Sequence, residues 1–440
     1  MKNNFILLIF FICSISLVIK PTFVNANITY SNIKEITPLI EEDDYIDLIR
    51  SSLFEQPEFK YATALSSEQE FNLKYAKRGR FPSISGNIIN DESIERNITD
   101  NQSVRKRRDD SFDATVEIKQ PIYTGGQINA AIRGAKNRAK NSATKKFKTV
   151  SSLILDANSI YLNAANSQFL FDYANNLLNE LKPIKEKVND RVNAGIMDPV
   201  ESALFSVRYN NLETLVFQLK SASEKNNNNF SFFFKREPLN LAFPKYKIDE
   251  ELINISKNSY DVDSAQFEYL EKKENIISVR SEYLPQMGIR AQYTKYDIDD
   301  DSNEDDIRGG LYLSVPLFNF GRGFAKINSA KAAAEGSKNA INVAEKDDSI
   351  TESSLMSDFN NSIDNRIIFL NAFKTTIKQR KTIQDRLESS GFAANALTEV
   401  IINEISQLKT LLDNESYILQ GYLSLLHQNQ QLNSNFRIRL

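Results

Sequence analysis

The sequence predicts a mainly helical α+β protein in which one unit, a helix followed by two β-strands and a long helical hairpin, occurs twice. Three observations predict this fold. The segment from Gln120 to Gly126 recurs as the segment from Val315 to Gly321, 195 residues later. Apolar and polar residues alternate strictly ahead of each copy, and a long stretch of helical pattern follows each copy. A repeat at a constant spacing marks a duplicated structural unit.

The N-terminal residues have the pattern of a secretory signal peptide. Lys2 precedes an apolar run from Phe5 to Ile19, and Val24-Asn25-Ala26 is a small-residue cleavage site. Ile12 before Cys13 does not fit a lipoprotein processing site, so we expect cleavage after Ala26 and a signal peptide over residues 1–26. The mature chain would be exported, free of cysteine and mildly acidic, which gives no reason to expect nucleic acid as a partner.

Composition excludes several classes of function. The 440 residues include one Cys, one His and no Trp, so disulfide scaffolds, zinc modules and histidine-dependent catalysis lack the residues they need. No nucleophile, base and orienting group occur together in a recognisable motif. We therefore predict neither an enzyme nor a bound cofactor, and no metal site. The lone His427 is expected at a surface or groove position of the last helix.

The order of elements defines two repeats. Helical patterns cover Tyr45 to Lys77 and Asp249 to Glu282, and Arg80-Phe81-Pro82 after the first matches Tyr283-Leu284-Pro285 after the second. We place the first repeat at residues 27–229, a linker at residues 230–248 and the second repeat at residues 249–440. The linker begins after the run from Asn226 to Asn229.

Two strands are predicted in each repeat because apolar and polar residues alternate, which gives a strand one apolar and one polar face. Highly charged loops separate the paired strands, from Asp91 to Asp110 and from Asp297 to Arg308. These loops are predicted to be solvated, and binding of Ca²⁺ or a polyanion is the alternative. The predicted strands are Ser83 to Ile88, Phe112 to Lys119, Met287 to Thr294 and Leu311 to Val315.

Each repeat ends in a helical hairpin. The outward helices span about Gly126 to Asn193 and about Gly323 to Ser389, and about 65 residues of helix form a rod of roughly 100 Å. Pro183 is expected to kink or break the first rod. Gly195 and Gly391 can end a helix in the left-handed conformation. Asp198, Pro199 and Glu201 then form a capping box, and return helices continue to about Glu224 and Asn433.

Nothing after the signal peptide approaches the ~20 consecutive apolar residues of a membrane-spanning helix. Four strands with one apolar face each suit an outer-membrane sheet, but four strands cannot close a barrel, because open edges in lipid leave backbone groups unpaired. The sequence therefore predicts oligomerisation if the strands lie in the membrane. The alternative is a structural or adhesive coiled-coil protein of the periplasm or cell surface.

These residues carry a family resemblance. The strand ending in Pro-aromatic-x-Gly, the Ala-rich long helix, the glycine tip and the return helix occur twice between about Tyr45 and Asn433, and this order resembles the TolC family of outer-membrane efflux proteins. The resemblance implies a homotrimer whose twelve strands form an outer-membrane β-barrel, in contact with outer-membrane lipid, above a periplasmic α-helical barrel. It also implies a channel for efflux or type I protein secretion, with a periplasmic adaptor and an inner-membrane transporter as partners.

The resemblance also implies roles for particular residues, each with a plainer alternative. The hairpin tips would contact the adaptor, although a glycine can serve the chain reversal alone. Acidic or polar residues beyond the tips would ring the periplasmic entrance, although capping or solvated helix surface explains them too. The strand-to-helix junctions would be Pro121 with Gly126 and Pro316 with Gly321. The tips are Ala194, Gly195, Ile196, Ser390, Gly391 and Phe392, and the entrance candidates are Glu201, Glu399 and Asn403.

Overall fold

The computed structural model describes residues 37–92, 94, 110–253, 258–299, 304–390 and 394–438, and the structural statements below concern these residues. The predicted signal peptide, the basic run from Arg105 to Arg108 and most of the first charged loop lie outside them. Nine helices and six strands are described. In chain order they are β1 (Leu39–Ile40), α1 (Glu42–Leu53), α2 (Pro57–Arg78), β2 (Ser83–Glu92), β3 (Asp110–Tyr123), α3 (Gln127–Asn193), α4 (Pro199–Phe234), β4 (Phe243–Pro244), α5 (Glu250–Ile253), α6 (Tyr260–Ser281), β5 (Gln286–Lys295), β6 (Asp305–Ser314), α7 (Arg322–Ser390), α8 (Ala394–Gln428) and α9 (Leu432–Asn435).

The first predicted helix is two helices, because Pro57 opens α2. The residue before a proline is disfavoured in the helical conformation, and Gln56 is extended, with ψ 137°. The Gln56 side chain donates to the carbonyls of Ser52 and Phe233, at 3.1 and 2.9 Å. The single helix predicted from Tyr45 to Lys77 is therefore wrong. The helix predicted from Asp249 to Glu282 is likewise divided, into α5 and α6.

The strands are longer than predicted because cross-strand pairing, which a single strand's alternation does not report, continues into charged residues. β6 begins at Asp305, which lies opposite Lys295. The predicted second loop, Asp297 to Arg308, is therefore wrong over its last four residues. β2 continues to Glu92, and β3 runs from Asp110 through Pro121 to Tyr123, with a bulge after Pro121.

The duplication is reproduced residue by residue. Adding 203 to the bounds of α2 and β2 gives the bounds of α6 and β5, and adding 195 to the first residues of β3 and α3 gives those of β6 and α7. Strand register obeys the same offsets. Ser83 pairs with Lys119 in the first hairpin, and Gln286 pairs with Ser314 in the second. The two copies therefore fold alike through the strands.

The long helices are single elements. α3 has 67 residues with Pro183 inside it, so the predicted break is wrong; Leu181 and Val188 on either side are buried in one cluster that holds the helix together. α4 continues to Phe234, ten residues beyond its predicted end and into the predicted linker. Phe230, Phe233 and Phe234 are buried at its end, and this burial favours the helix over a polar linker.

The helices form one layer whose order changes along its length. Near the sheet the order is α2–α3–α6–α7. Toward the hairpin tips α4 and α7 flank α3 and α8, and α4 contacts both α3 and α8. One edge is therefore α2 and then α4, and the other edge is α7. Two hydrophobic clusters fill the layer, one around Tyr161 and Tyr422 and one around Leu212 and Leu408.

In the part of the chain that the structure describes, no helix combines the length and the apolar character needed to cross a membrane.

Candidate functional site

The four long strands form one antiparallel sheet in the order β2–β3–β5–β6. Residues directly opposite each other share a face, and one face is apolar across all four strands while exposed in the single chain. Ile84 is 72% exposed and Leu311 is 74% exposed. A contiguous apolar surface of this kind indicates contact with lipid or protein. Its members are Ile84, Ile88, Val116, Ile118, Met287, Ile289, Tyr293, Ile307, Leu311 and Leu313.

The opposite face of the sheet is polar. Glu117 at its centre forms ion pairs with Lys119 at 2.6 Å and with Arg290 at 3.2 Å. The hydroxyls of Thr115 and Thr294 lie 3.2 Å apart across β3 and β5. Such a face is suited to water. Its polar members are Ser85, Asn87, Thr115, Glu117, Lys119, Arg290, Gln292, Thr294, Asp306 and Arg308.

The sheet is open at both edges. β2 pairs only with β3, and β6 pairs only with β5, among the described residues. An edge strand presents a row of backbone N–H and C=O groups to any further strand. The single chain therefore offers two edges that a partner strand can extend.

The two strand-to-helix junctions differ. Pro121 lies inside β3, whereas Pro316 lies beyond Ser314, the last residue of β6. Gly126 and Gly321 both have positive φ, 91° and 80°. The junction glycines thus allow the same left-handed turn from strand into helix.

The first hairpin tip has the predicted geometry. Gly195 has φ 68°, and a Cβ placed on it would have no atom within 4 Å. Ile196 beside it is exposed. Asp198 caps α4 by accepting from the Val200 N–H at 2.8 Å. At the second tip Ser390 ends α7, while Gly391 and Phe392 lie outside the described residues.

The entrance candidates lie on a contact between α4 and α8 that the sequence did not reveal. The Arg208 guanidinium is 3.0 Å from the Glu399 carboxylate and donates to the Asn395 carbonyl at 3.0 Å. The Asn395 side chain donates to the Glu201 carbonyl, also at 3.0 Å. Asn403, one turn further, is exposed and accepts from Gln407. Glu399 is thus paired with a cation, and Glu201 contributes its backbone rather than its charge to this contact.

Two carboxylates of the second hairpin, Glu404 and Glu415, are buried and were not predicted from the sequence. Glu404 is fully buried, and its carboxylate accepts from Arg380 at 2.9 Å and from the Tyr173 hydroxyl. Glu415 accepts from Arg366 at 2.7 Å. Burial raises the pKa of the Glu415 carboxyl, and Arg366 opposes that shift. The spacing of Arg366 and Glu415, 49 residues apart in sequence, carries no local signal.

His427 is more enclosed than the sequence predicted. Its Nδ1 lies 2.7 Å from the Ser151 hydroxyl, and its ring centroid lies 5.7 Å from that of Tyr260. Burial, with a smaller effect from Lys148, lowers the pKa of His427 to about 4. The predicted groove position is thus a half-buried contact between α8, α3 and α6, with a neutral imidazole at pH 7.

No protein-family model matches the chain, and no curated protein matches it by sequence. Solved structures match it by fold. The Campylobacter jejuni CmeC outer membrane channel matches with a TM-score of 0.73 and 11% identity, over 89% of this chain and 86% of that chain. The outer membrane protein VceC from Vibrio cholerae matches with 0.68 and 13%, over 88% and 96%. The open state of the Neisseria gonorrhoeae MtrE outer membrane channel matches with 0.61 and 15%, over 88% and 89%.

Sequence identity of this order establishes a common fold alone. The fold predicted from the family resemblance is confirmed, since the likeness covers nearly nine-tenths of the chain. The chain has the fold of the TolC-like outer-membrane channels.

Proposed function

We propose that this protein is a trimeric outer-membrane channel that conducts substrates through a periplasmic helical tunnel to the cell exterior. The observation that carries this proposal is the sheet, which has a continuous exposed apolar face, a polar opposite face and two open edges. Three copies would supply twelve strands, and closure of the twelve would leave no edge in lipid.

The orientation follows from the two faces. The apolar face would contact outer-membrane lipid, and the polar face, with Glu117 between Lys119 and Arg290, would line the aqueous lumen. The helical layer supports the same arrangement, since α7 is one edge and α2 with α4 is the other. Contact between unlike edges generates a ring when the rotation closes.

Partners are part of the proposal. The exposed tip around Gly195 and Ile196, and by the duplication the tip around Ser390, Gly391 and Phe392, would contact a periplasmic adaptor that connects to an inner-membrane transporter. A cysteine at Ile196 tests this contact by crosslinking in cells that export substrate, with a cysteine at the half-buried Met197 as the control. Failure of Ile196→Cys to form any adduct with an adaptor would remove the docking proposal while leaving the channel intact.

The channel is tested by isolating the protein from outer membranes and reconstituting it in a planar lipid bilayer. We expect detergent to be required for extraction, a particle of three chains in unheated samples and stepwise conductance after insertion. A protein that is released by salt without detergent and forms no pore would instead be the structural or adhesive coiled-coil protein, and the proposal would fail.

A further inference from the structure

The charged residues on the polar face of the sheet are sorted along the strands. Counted from the end of each strand that joins a helix, Lys119 and Arg290 lie four residues in, and Glu117 and Arg308 lie six residues in. These four residues form the basic belt. Further from the helices, the charged residues of this face within the described strands are acidic, and they form the acidic belt. Its members are Asp91 and Asp306, eight residues in, and Asp113, ten residues in.

The basic belt presents its cations and shields its anion. Glu117 lies between Lys119, at 2.6 Å, and Arg290, at 3.2 Å. The Glu117 side chain is 19% exposed, while those of Lys119 and Arg290 are 46% and 48% exposed. Arg308 is likewise more exposed than Asp306, the acidic residue that it contacts. Because the belt holds three cations and one carboxylate, water at this face meets an excess of positive charge.

Arg290 is held by an aromatic ring and has open space beside it. Its guanidinium carbon lies 5.8 Å from the centre of the Tyr312 ring, and that ring covers Gly288, where a Cβ would lie 2.6 Å from the Tyr312 hydroxyl oxygen. A guanidinium group ordered in this way loses less freedom when it binds a ligand. Gly310 lies directly opposite Arg290, and a Cβ on Gly310 would have no atom within 4 Å. An anion can therefore approach Arg290 over Gly310 without displacing a side chain.

The two belts act separately at ordinary salt concentrations. About four residues of extended strand separate them, which is roughly 13 Å. The Debye length at 0.1 M salt is about 10 Å, so the acidic belt offsets only part of the field of the basic belt. In the proposed ring of three chains the basic belt would form a ring of charge, and rings of Arg and Lys side chains favour anions in pores.

We propose that the basic belt is an anion-binding site of the lumen wall, which binds the carboxylate, sulfonate or phosphate groups of organic anions. This inference rests on the proposed channel and adds a substrate class to it. Guanidinium groups match such oxyanions in shape and charge. Because the belt lies at the helix end of the strands, an anion leaving the helical tunnel would meet it before the acidic belt. The acidic belt beyond it would then weaken binding and favour release.

Binding of a trisulfonated pyrene dye to the full-length protein in detergent tests the site, with fluorescence anisotropy as the readout. We expect saturable binding at 0.1 M salt and a loss of affinity of about tenfold or more at 1 M salt, where the Debye length is about 3 Å. Lys119→Gln and Arg290→Gln should each weaken binding about two- to fourfold, and together about tenfold, since each removes a unit charge about 5 Å from the dye. The single variants carry the test if the double variant does not assemble.

Two further variants are the controls. Glu117→Gln removes the carboxylate between the two cations and should strengthen binding about two- to fourfold, which general damage to the fold would not do. Lys148→Gln removes an exposed cation of α3, about 30 Å along that helix from the sheet, and should leave binding unchanged. No binding at 0.1 M salt, or equal binding by the unmodified protein and the Lys119 and Arg290 variants, would overturn the site while the oligomer and its pore stand. Absence of the oligomer and the pore from the unmodified protein would instead contradict the proposed channel.

Discussion

The two helical hairpins have the same design but different interiors. Lys185 of the first corresponds to Arg380 of the second at the offset of 195 that relates the first residues of α3 and α7. In the first hairpin the Lys185 ammonium lies 4.0 Å from the centre of the Tyr209 ring. In the second, Arg380 is paired at 2.9 Å with the fully buried Glu404. The cation at the shared position therefore contacts the return helix by different chemistry in the two hairpins.

Position in the layer explains the difference. α8 lies between α3 and α7, so a polar group on it can be enclosed and paired from both sides, as Tyr173 and Arg380 do for Glu404. α4 lies at the edge of the layer and exposes Leu204 and Phe217. Duplicated units therefore diverge according to their neighbours, and the unit at the edge keeps apolar side chains exposed.

The largest expected effect comes from the same replacement at the two corresponding cations. Arg380→Met leaves the buried Glu404 charge without its cation and should lower the free energy of unfolding by about 3–5 kcal/mol. Lys185→Met removes only a cation–aromatic contact, worth about 0.5–1 kcal/mol. Urea unfolding followed by circular dichroism measures both. Equal losses would show that the hairpins are held together alike.

The two junctions provide the next comparison. Gly125→Ala places a Cβ 2.8 Å from Leu284 at φ 62°, and the strain and overpacking together should cost about 3 kcal/mol. Phe320→Gly removes the strain of a non-glycine residue at φ 53° from the second junction, so the chain should lose no stability.

Urea unfolding of Gly125→Ala and Phe320→Gly separates these two effects. A loss of stability in Phe320→Gly as large as that in Gly125→Ala would show that the two junctions are not strained as described.

A pH prediction follows from His427, the single histidine of the sequence. The folded pKa of His427, about 4, lies below its ordinary 6.5, so the unfolded state binds the proton more readily. The stability is complete above pH 6.5 and is lost as pH falls toward 4. Because the ring is half-buried, we expect a loss of about 2 kcal/mol.

The measurement is the difference in unfolding free energy between the unmodified chain and His427→Gln at pH 7 and pH 4.5. The difference isolates His427 from carboxyls such as Asp261, which faces Lys148 beside it. A pH dependence that survives in His427→Gln would assign the effect to other groups.

The smallest expected effect concerns the hairpin tips, where Arg208 of the first hairpin pairs with Glu399 of the second. The exposed pair of Arg208 and Glu399 should contribute less than about 1 kcal/mol to stability. Its effect on ions should be clearer. Arg208→Ala frees the Glu399 carboxylate and should raise cation preference in a planar bilayer, and adding Glu399→Ala should abolish the increase. A reversal potential unchanged by Arg208→Ala would show that the Glu399 carboxylate does not set the ion preference of the entrance.

Much of the fold could be predicted because it is encoded locally and twice. The spacing of 195 residues located both junctions, and the glycine at position 195 located the first tip. The error at Gln56 has a local cause, since Pro57 disfavours the helical conformation of the residue before it. The errors at Pro183 and at the end of α4 have a nonlocal cause, because burial of Leu181, Val188 and Phe230 depends on helices far away in sequence.

The candidate site was less predictable. Strand alternation identified which residues share a face, but the ion pairs of Glu117 required the register of three strands. Arg208 on α4 contacts Asn395 and Glu399 on α8, so it connects the return helices of the two repeats. Such contacts arise only when both hairpins occupy one layer, so neither repeat read separately could reveal them.

The two open edges of the sheet have a genetic consequence. In the proposed ring of three chains, a chain with a defective β6 edge would still present an intact β2 edge, so it would join normal chains and leave a gap. If half the chains in a cell carry the defect, only about one of the proposed three-chain rings in eight would contain none. Variants confined to β6 should therefore be dominant over the normal allele, while variants that prevent the chain from folding should be recessive.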